Sequence, residues 1–189
     1  MHFTVEAQSI AKRYLALGAI AIDATTGNGF DTLFLAEQVG ESGFVYGVDI
    51  QKHAVEAVRH KLQLAGTIHR CRLTTCSHAQ LDAIVDRAHQ GAISVAMFNL
   101  GYLPFGDKNI VTQPESTIIA LDQVASLIRP GGLISILAYI GHSGGKVEAL
   151  RVGQWVETKR DEFDVERFQD VGNANSPILW AMSKRSQVK

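Results

Sequence analysis

Three polar side chains are placed where chemistry could occur: Asp23, Asp49 and Asn99 each follow a short apolar run. Runs of this length that end in turn residues are typical of buried strands in a parallel sheet. The carboxyl ends of parallel strands meet at one edge of the sheet, and ligands bind outside that edge. We therefore expect two carboxylates and one amide to face a common ligand site.

A glycine loop follows the first of these strands. Residues 19–32 read AIAIDATTGNGFDT, in which four apolar residues and an acid precede Gly27 and Gly29, and a second acid opens the next helix. A strand, a glycine turn and a helix N-terminus form the arrangement by which α/β proteins hold nucleotide-like ligands. A plain structural turn explains such a loop equally well when it stands alone, so the ligand must be argued from the neighbouring residues.

The charges beside the loop indicate which ligand it would bind. A dinucleotide pyrophosphate rests on helix N–H groups and needs glycines for close approach. Asp23 and Asp31 would repel it, and Thr32 stands where the third glycine of GxGxxG would be. S-adenosylmethionine has no phosphate and carries a cationic sulfonium and a cationic amino group. The two acids therefore favour S-adenosylmethionine over NAD and disfavour a nicotinamide dehydrogenase.

This segment resembles the first motif of the class I S-adenosylmethionine-dependent methyltransferases, an acid followed by Gly-x-Gly at the spacing of Asp23, Gly27 and Gly29. Thr25 stands where that motif has one further glycine, as in some RNA methyltransferase branches. The resemblance implies an α/β, Rossmann-like fold with a seven-stranded, mostly parallel sheet and an antiparallel C-terminal hairpin at its edge. It also implies that residues 1–189 form a single methyltransferase domain.

A second carboxylate supports an adenosyl ligand. Asp49 lies twenty residues after Gly29, where an acid accepts hydrogen bonds from both ribose hydroxyls, although a turn acid would also explain it. Ile50 could pack against the base. Ser77 or His78 could contact the adenine amino group, as residues at this junction often do in the methyltransferase family, but Ser77 could equally cap a helix. We expect the cofactor-binding residues to be Asp23, Thr25, Gly27, Asn28, Gly29, Asp31, Thr32, Asp49, Ile50, Gln51, Ser77, His78 and Asn99.

Asn99 is the predicted catalytic residue. Its amide oxygen accepts a hydrogen bond but takes no proton at neutral pH, which suits the orientation of an amine nucleophile. The run NLGY, residues 99–102, resembles the Asn-Pro-Pro-Tyr motif of nitrogen methyltransferases without its prolines. By that resemblance the Leu100 carbonyl accepts the second amine hydrogen and Tyr102 packs against the substrate. A strand-end asparagine that caps a turn, beside a core tyrosine, is the alternative.

Four ordered segments resemble a narrower family. They are DATTGNGFDT at 23–32, NLGYLPFGDK at 99–108, YIGHSGGK at 139–146 and NANSP at 173–177. The chain is similar in these segments to bacterial proteins labelled ribosomal RNA methylases and associated with tRNA 5-(aminomethyl)-2-thiouridine methyltransferase activity. The resemblance implies that the substrate is the wobble uridine in the tRNA anticodon stem-loop. Alternatives are a ribosomal RNA base, a small-molecule amine, or a non-catalytic RNA- or partner-binding protein that keeps the cofactor pocket.

His142 lies in a loop predicted to reach the same edge of the sheet. Histidine is a common general base, so His142 could remove a proton from an ammonium acceptor, contact RNA phosphate, or only support the loop. We include it with Asn99 and Tyr102 as a predicted catalytic residue. Gly144, Gly145 and Lys146 precede a helix and could bind an anion or simply start that helix.

Composition limits the other possibilities. The chain has 189 residues, 46% of them hydrophobic, and a formal net charge of −1, which fits one globular domain and a local RNA contact only. Cys71 and Cys76 lack a second pair, so neither a disulfide framework nor a metal site is expected. We find no signal-peptide pattern and no membrane-spanning run, and we expect a cytoplasmic protein. A homodimer is a further expectation. Candidate RNA-contact residues, each also explained as a solvated surface charge, are Lys12, Arg13, Arg70, Arg72, Lys108, Lys146, Arg151, Lys159 and Arg160.

The elements that position these residues follow from apolar periodicity. Helix patterns cover residues 4–17, with Thr4 as a possible cap, and 31–39, 52–64, 79–88, 117–128 and a segment through 156. Strand patterns cover 19–23, 44–49, 67–74, 93–98, 133–139, 163–171 and 178–182, with RPGG at 129–132 as a turn. The last two strands are expected to pair antiparallel at the edge of the sheet.

Overall fold

The computed structural model describes residues 3–104, 106–107 and 109–186, so the candidate RNA contact Lys108 lies outside the described residues. Six helices and seven strands alternate through most of this part of the chain. The helices are α1 (Phe3–Lys12), α2 (Phe30–Val39), α3 (Lys52–Leu64), α4 (Leu81–Ile84), α5 (Pro114–Leu127) and α6 (Gly145–Thr158). The strands are β1 (Ile20–Asp23), β2 (Phe44–Asp49), β3 (Cys71–Thr75), β4 (Ile93–Leu100), β5 (Ile128–Ala138), β6 (Phe163–Phe168) and β7 (Ile178–Lys184).

The strands form one sheet in the order β3-β2-β1-β4-β5-β7-β6. Strands β1 to β5 pair in parallel, whereas β7 runs antiparallel to both β5 and β6. The predicted seven-stranded, mostly parallel sheet with an antiparallel C-terminal edge is therefore confirmed. Because the order reverses between β1 and β4, their carboxyl ends flank the crevice in which such sheets bind ligands.

Both faces of the sheet are buried. Alternate strand residues such as Ile22 and Phe98 pack under α4, α5 and α6, and their neighbours such as Ala21 and Val95 pack under α1, α2 and α3. Strands covered on both sides need continuous apolar runs, which is the pattern that the sequence carries. None of the helices in the described ranges has both the length and the apolar composition to cross a bilayer.

Two helices differ from expectation in their boundaries. Helix α1 starts at Phe3 and ends at Lys12, so Thr4 lies inside the helix and the predicted cap is wrong. The helix expected over 79–88 is reduced to α4 and short 3₁₀ turns. Its continuation is interrupted at Asp86, whose backbone N–H donates to the Tyr46 hydroxyl, and that hydroxyl also bonds His89 Nδ1.

The predicted turn at 129–132 is instead part of a strand. Ile93 pairs with Ile128 and Val95 with Leu133, so four residues of β5, 129–132, are inserted opposite one residue of β4. Gly131, with φ 71°, supports the left-handed backbone in this bulge. The residues therefore lengthen β5 and do not precede it. Strand β3, in contrast, starts later than predicted. Residues 68–70 form a 3₁₀ turn, and the strand begins at Cys71.

Candidate active site

A cavity of about 1060 Å³ opens at the carboxyl edge of β1, β2, β3 and β4. Its wall combines the glycine loop, the strand tips, the loops after β4 and β5, and the start of α1. Most residues predicted for the site lie in this wall: Thr25, Gly27, Asn28, Asp31, Asp49, Ile50, Gln51, Ser77, His78, Asn99, Tyr102 and His142. Asp23, Gly29 and Thr32 do not.

Asp49 braces the glycine loop from the tip of β2. Its Oδ2 accepts the Gly27 backbone N–H at 2.9 Å and its Oδ1 accepts the Gln51 N–H at 2.9 Å. Each carboxylate oxygen can accept a second hydrogen bond, so Asp49 can hold two hydroxyl donors while it holds the loop. Ile50 beside it is 54% exposed, an uncommon state for isoleucine, and it forms part of the apolar wall.

Asp23 supports the site from behind. It is fully buried, where Oδ2 accepts the Thr32 hydroxyl at 2.6 Å and Oδ1 accepts the Thr25 N–H at 3.2 Å. Burial, together with repulsion from Asp31, raises the pKa of Asp23 to about 7. Asp23, Gly29 and Thr32 therefore lie behind the cavity wall, where they shape the loop and the start of α2. A direct role of these three residues in cofactor binding stays a prediction.

Asp31, unlike Asp23, faces the cavity. Its Oδ2 accepts Asn99 Nδ2 at 2.6 Å and its Oδ1 accepts Gln8 Nε2 at 2.6 Å. An ionised carboxylate accepts only, so both amides must present their NH₂ groups to it. Asn99 is further fixed by its backbone N–H, which donates to Thr25 Oγ1 at 2.7 Å. Among the described residues, no hydrogen-bond donor contacts the Asn99 amide oxygen, which is the acceptor of this side chain.

Ser77 and His78 follow β3 at the adenine end of the predicted site. Ser77 Oγ accepts the Ala79 N–H at 3.2 Å, so the capping alternative describes its observed bond. His78 is buried against Phe98 and its Nε2 bonds the Ser116 hydroxyl at 3.2 Å. Burial lowers the pKa of His78 to about 4, which keeps the ring neutral at physiological pH.

Tyr102 and His142 pack against each other at the mouth of the cavity, with ring centroids 5.7 Å apart and planes at 88°. His142 Nδ1 bonds the Ser143 carbonyl at 2.9 Å, so Nδ1 carries the proton and Nε2 is the basic atom. Nε2 is buried and has no hydrogen-bond partner within the described residues. This geometry favours support of Tyr102 over proton removal, and a catalytic role for His142 stays a prediction.

Several wall residues were not among the predicted site residues. Gln8 reaches the site because α1 lies beside α2, and nothing in its own pattern indicates this. Thr112, Tyr139 and Phe30 also line the cavity. Phe30 is 68% exposed at the first position of α2, where an aromatic side chain next to the glycine loop is the feature that could have been noticed.

Four of the candidate RNA contacts are paired with carboxylates. Arg70 bonds Glu41 and Arg72 bonds Asp86, each at 2.7 Å. Lys159 and Arg160 pair with Asp122 and Glu157. Within the described ranges, no ion pair involves Lys12, Arg13, Lys146 or Arg151, which therefore remain candidates. Both cysteines are free thiols, and burial raises the pKa of Cys71 to about 11.

Comparisons with known proteins place this geometry in a family. The family model described as “Putative rRNA methylase” matches residues 45–184. The chloroplastic tRNA (mnm(5)s(2)U34)-methyltransferase of Arabidopsis thaliana is 35% identical over 199 residues, covering 96% of this chain and 69% of that protein.

Solved structures give the same result. A “putative rRNA-methylase” from Clostridium thermocellum has a TM-score of 0.91 and 37% identity, with 96% of each chain covered. A “putative methyltransferase” from Streptococcus mutans, solved in complex with SAH (S-adenosylhomocysteine), has a TM-score of 0.85 and 31% identity over 96% of this chain and 97% of that one. The predicted class I methyltransferase fold is confirmed, and the chain belongs to the rRNA methylase family of methyltransferases.

Proposed function

We propose that this chain methylates the aminomethyl nitrogen of 5-aminomethyl-2-thiouridine at the tRNA wobble position. The observation that carries the proposal is the orientation of Asn99, which lies at a strand tip in the cavity wall. Asp31 fixes its NH₂ group at 2.6 Å, and no other described residue donates to its amide oxygen. An amide oxygen held in this way can accept an N–H of a neutral amine. The tRNA methyltransferase name of the Arabidopsis relative supports the acceptor.

S-adenosylmethionine is the methyl donor of this methyltransferase, and the residues present fit it. Asp49 offers acceptors for the ribose hydroxyls, and Ile50 offers an apolar surface for the adenine. Asp31 supplies negative charge near the methionine end. Among the described residues of the cavity wall there is no lysine or arginine, which is unfavourable for a pyrophosphate and favourable for a cation.

The chain's contribution to catalysis is orientation. When bound, the cofactor supplies a methyl group on a cationic sulfur. The Asn99 oxygen accepts one N–H of the acceptor amine and directs the nitrogen lone pair away from itself. The Leu100 carbonyl already accepts the Tyr139 N–H at 2.9 Å, and its second lone pair is the predicted acceptor for the other N–H of the amine. Tyr102, 39% exposed at the mouth, offers a face on which an unstacked uracil ring can lie.

The test is methyl transfer to defined RNA. Purified protein with labelled S-adenosylmethionine is offered tRNA that carries the unmethylated aminomethyl group, with ribosomal RNA and small amines in parallel, and the nucleosides are identified by mass spectrometry. We expect label in the wobble nucleoside. Label found only in ribosomal RNA or in a small amine would show that the proposed acceptor is wrong. No transfer to any of these substrates would favour the alternative of a non-catalytic binding protein.

Asn99→Ala isolates the proposed catalytic group. We expect the rate of methyl transfer to fall by about 100-fold while the affinity for S-adenosylmethionine stays within about threefold, since orientation is removed and the cofactor contacts remain. Asn109→Ala is the matched control, because Asn109 is an exposed asparagine outside the cavity wall. Equal rates for the wild type and Asn99→Ala would contradict the assigned role.

The anticodon stem-loop as partner and the homodimer need tests of their own. Binding of the isolated stem-loop tests the first, and light scattering tests the second.

A further inference from the structure

The loop that carries Tyr102 is closed at its base. The acceptor loop, residues 101–112, begins and ends with a reciprocal pair of bonds: the Gly101 N–H donates to Thr112 Oγ1 at 2.8 Å, and the Thr112 N–H donates to the Gly101 carbonyl at 2.9 Å. Tyr102 and Val111 form an antiparallel bridge next to this pair. The position of Tyr102 therefore depends on how the Gly101–Thr112 pair is held.

A buried carboxylate on α6 holds that pair. Glu148 is 2% exposed; its Oε2 accepts the Thr112 hydroxyl at 2.6 Å and its Oε1 accepts the Thr117 hydroxyl of α5 at 2.7 Å. A buried carboxylate is costly unless hydrogen-bonded, and these two short bonds supply that stabilisation. Glu148 thus joins the acceptor loop, α5 and α6 at one point.

The direction of these bonds is set by Glu148. Thr112 Oγ1 accepts from Gly101 and donates to Glu148, so its one proton is committed to the carboxylate. An apolar side chain at position 148 would leave the Thr112 hydroxyl without its acceptor. Helix α6 meets the acceptor loop a second time, because His142, just before α6, packs its ring on Tyr102.

We propose that Glu148 is a positioning residue for methyl transfer, which acts through Thr112 to fix the acceptor loop and therefore Tyr102. The inference rests on the proposed function for its catalytic readout. Glu148 lies outside the cavity wall, so its substitution can affect the acceptor only through other residues.

The two hydrogen bonds that Glu148 accepts can be removed one at a time, which gives a matched pair of variants. Thr112→Val removes the hydrogen bond between Glu148 and the acceptor loop, and Thr117→Val removes the similarly short hydrogen bond between Glu148 and α5. We expect Thr112→Val and Glu148→Gln to lower kcat/KM for tRNA by about tenfold or more, with S-adenosylmethionine affinity within about threefold of wild type. Thr112→Ser, which keeps the hydroxyl, should restore most of the loss. Thr117→Val should lower thermal stability but leave kcat/KM nearly unchanged.

Hydrogen exchange supplies a readout that does not need the acceptor. We expect faster exchange at the Gly101 amide in Thr112→Val and Glu148→Gln, and not in Thr117→Val, because only the first two loosen the base of the loop. If the wild type failed to methylate tRNA, the proposed function would fail while the exchange pattern still decided the role of Glu148. Equal kinetic and exchange effects of the Thr112 and Thr117 variants, or wild-type behaviour of Glu148→Gln, would overturn the inference.

Discussion

Asp31 determines the polarity of the site at the scale of single residues. It accepts NH₂ groups from Gln8 and Asn99, each at 2.6 Å, and so leaves the Asn99 oxygen for the proposed amine. Asp31→Asn keeps the size of the side chain but introduces one NH₂ group, to which the Asn99 oxygen can bond after its amide rotates. We expect kcat for methyl transfer to fall by about 100-fold, with a smaller change in KM for tRNA, because the amine would then face a donor.

Steady-state kinetics on tRNA is the measurement for Asp31→Asn, with Asp107→Asn as the control. Asp107 is an exposed aspartate of the acceptor loop that bonds Asn109 and lies outside the cavity wall. Calorimetry with S-adenosylmethionine separates a loss of cofactor binding from a loss of orientation. A full rate for Asp31→Asn at saturating cofactor would mean that Asn99 is oriented without it.

The sequence predicted which residues reach the site better than what they do there. Asp49 and Asn99 follow apolar runs, and the parallel sheet brings both to the cavity. Asp23 follows a similar run but is fully buried, because Thr32 of α2 and the Thr25 N–H take its oxygens. Which strand-tip carboxylate faces the ligand is thus decided by contacts with α2 that periodicity does not contain. Gln8 enters the site through packing between helices, which leaves no local pattern.

At the scale of elements, the start of α2 depends on Gly29. Gly29 has φ 73°, and a Cβ there would lie 2.8 Å from Val58 Cγ2, a fully buried side chain of α3. Gly29→Ala should therefore lower the free energy of unfolding by more than the roughly 1 kcal/mol of left-handed strain. It should also weaken S-adenosylmethionine binding by about tenfold, because α2 carries Asp31. Denaturant unfolding and calorimetry measure the two effects.

Gly66 provides the matched control for Gly29. Its φ is 71°, nearly the same, but nothing lies within 4 Å of an added Cβ. Gly66→Ala should lower the free energy of unfolding only by the backbone strain and should leave cofactor affinity unchanged. Adding Val58→Ala to Gly29→Ala should recover part of the cofactor affinity by removing the clash, a coupling that a double-mutant cycle measures. Similar affinities for Gly29→Ala and Gly66→Ala would show that the contact with Val58 does not position α2.

The predictable elements are those whose bounds are set locally. The sequence placed β2 at Phe44–Asp49 and α3 at Lys52–Leu64, as the structure has them, because Gly43 and the apolar periodicity define both. The helix expected over 79–88 failed because the distant Tyr46 hydroxyl takes the Asp86 N–H. The turn expected at 129–132 failed because β4 pairs on both sides of it and absorbs it as a bulge. Both errors arise from tertiary contacts that overrule local preference.

At the scale of the whole molecule, folding buries the Asp23 carboxyl group at the end of β1, close to the carboxyl group of Asp31. Burial and Asp31 raise the pKa of Asp23 from its ordinary 3.8 to about 7. Between these values the folded chain holds a proton that the unfolded chain releases. The contribution of Asp23 to stability is therefore fully present below pH 3.8 and is lost as the pH rises through about 7. The slope in this window approaches about 1.4 kcal/mol per pH unit.

Asp23→Asn removes this dependence, since its amide can accept from Thr25 and donate to Thr32 without ionising. We expect the free energy of unfolding of Asp23→Asn relative to wild type to rise from pH 5 to pH 8 in the ligand-free protein, as measured by denaturant titration. Asp161→Asn, an exposed aspartate far along the chain from the site, should show no such trend. A constant difference between Asp23→Asn and wild type across this range would mean that Asp23 ionises normally in the fold.

The cofactor should reduce the same pH dependence. A cation bound beside Asp31 also stabilises the ionised form of Asp23, which lowers its pKa toward the unfolded value. S-adenosylmethionine carries the sulfonium charge and S-adenosylhomocysteine does not, so calorimetry should find that S-adenosylmethionine binds more tightly as the pH rises from 6 to 8, with a smaller trend for the demethylated product. Asp23→Asn should remove the difference between the two trends. Parallel trends for both ligands in the wild type would show that the sulfonium charge does not change the pKa of Asp23.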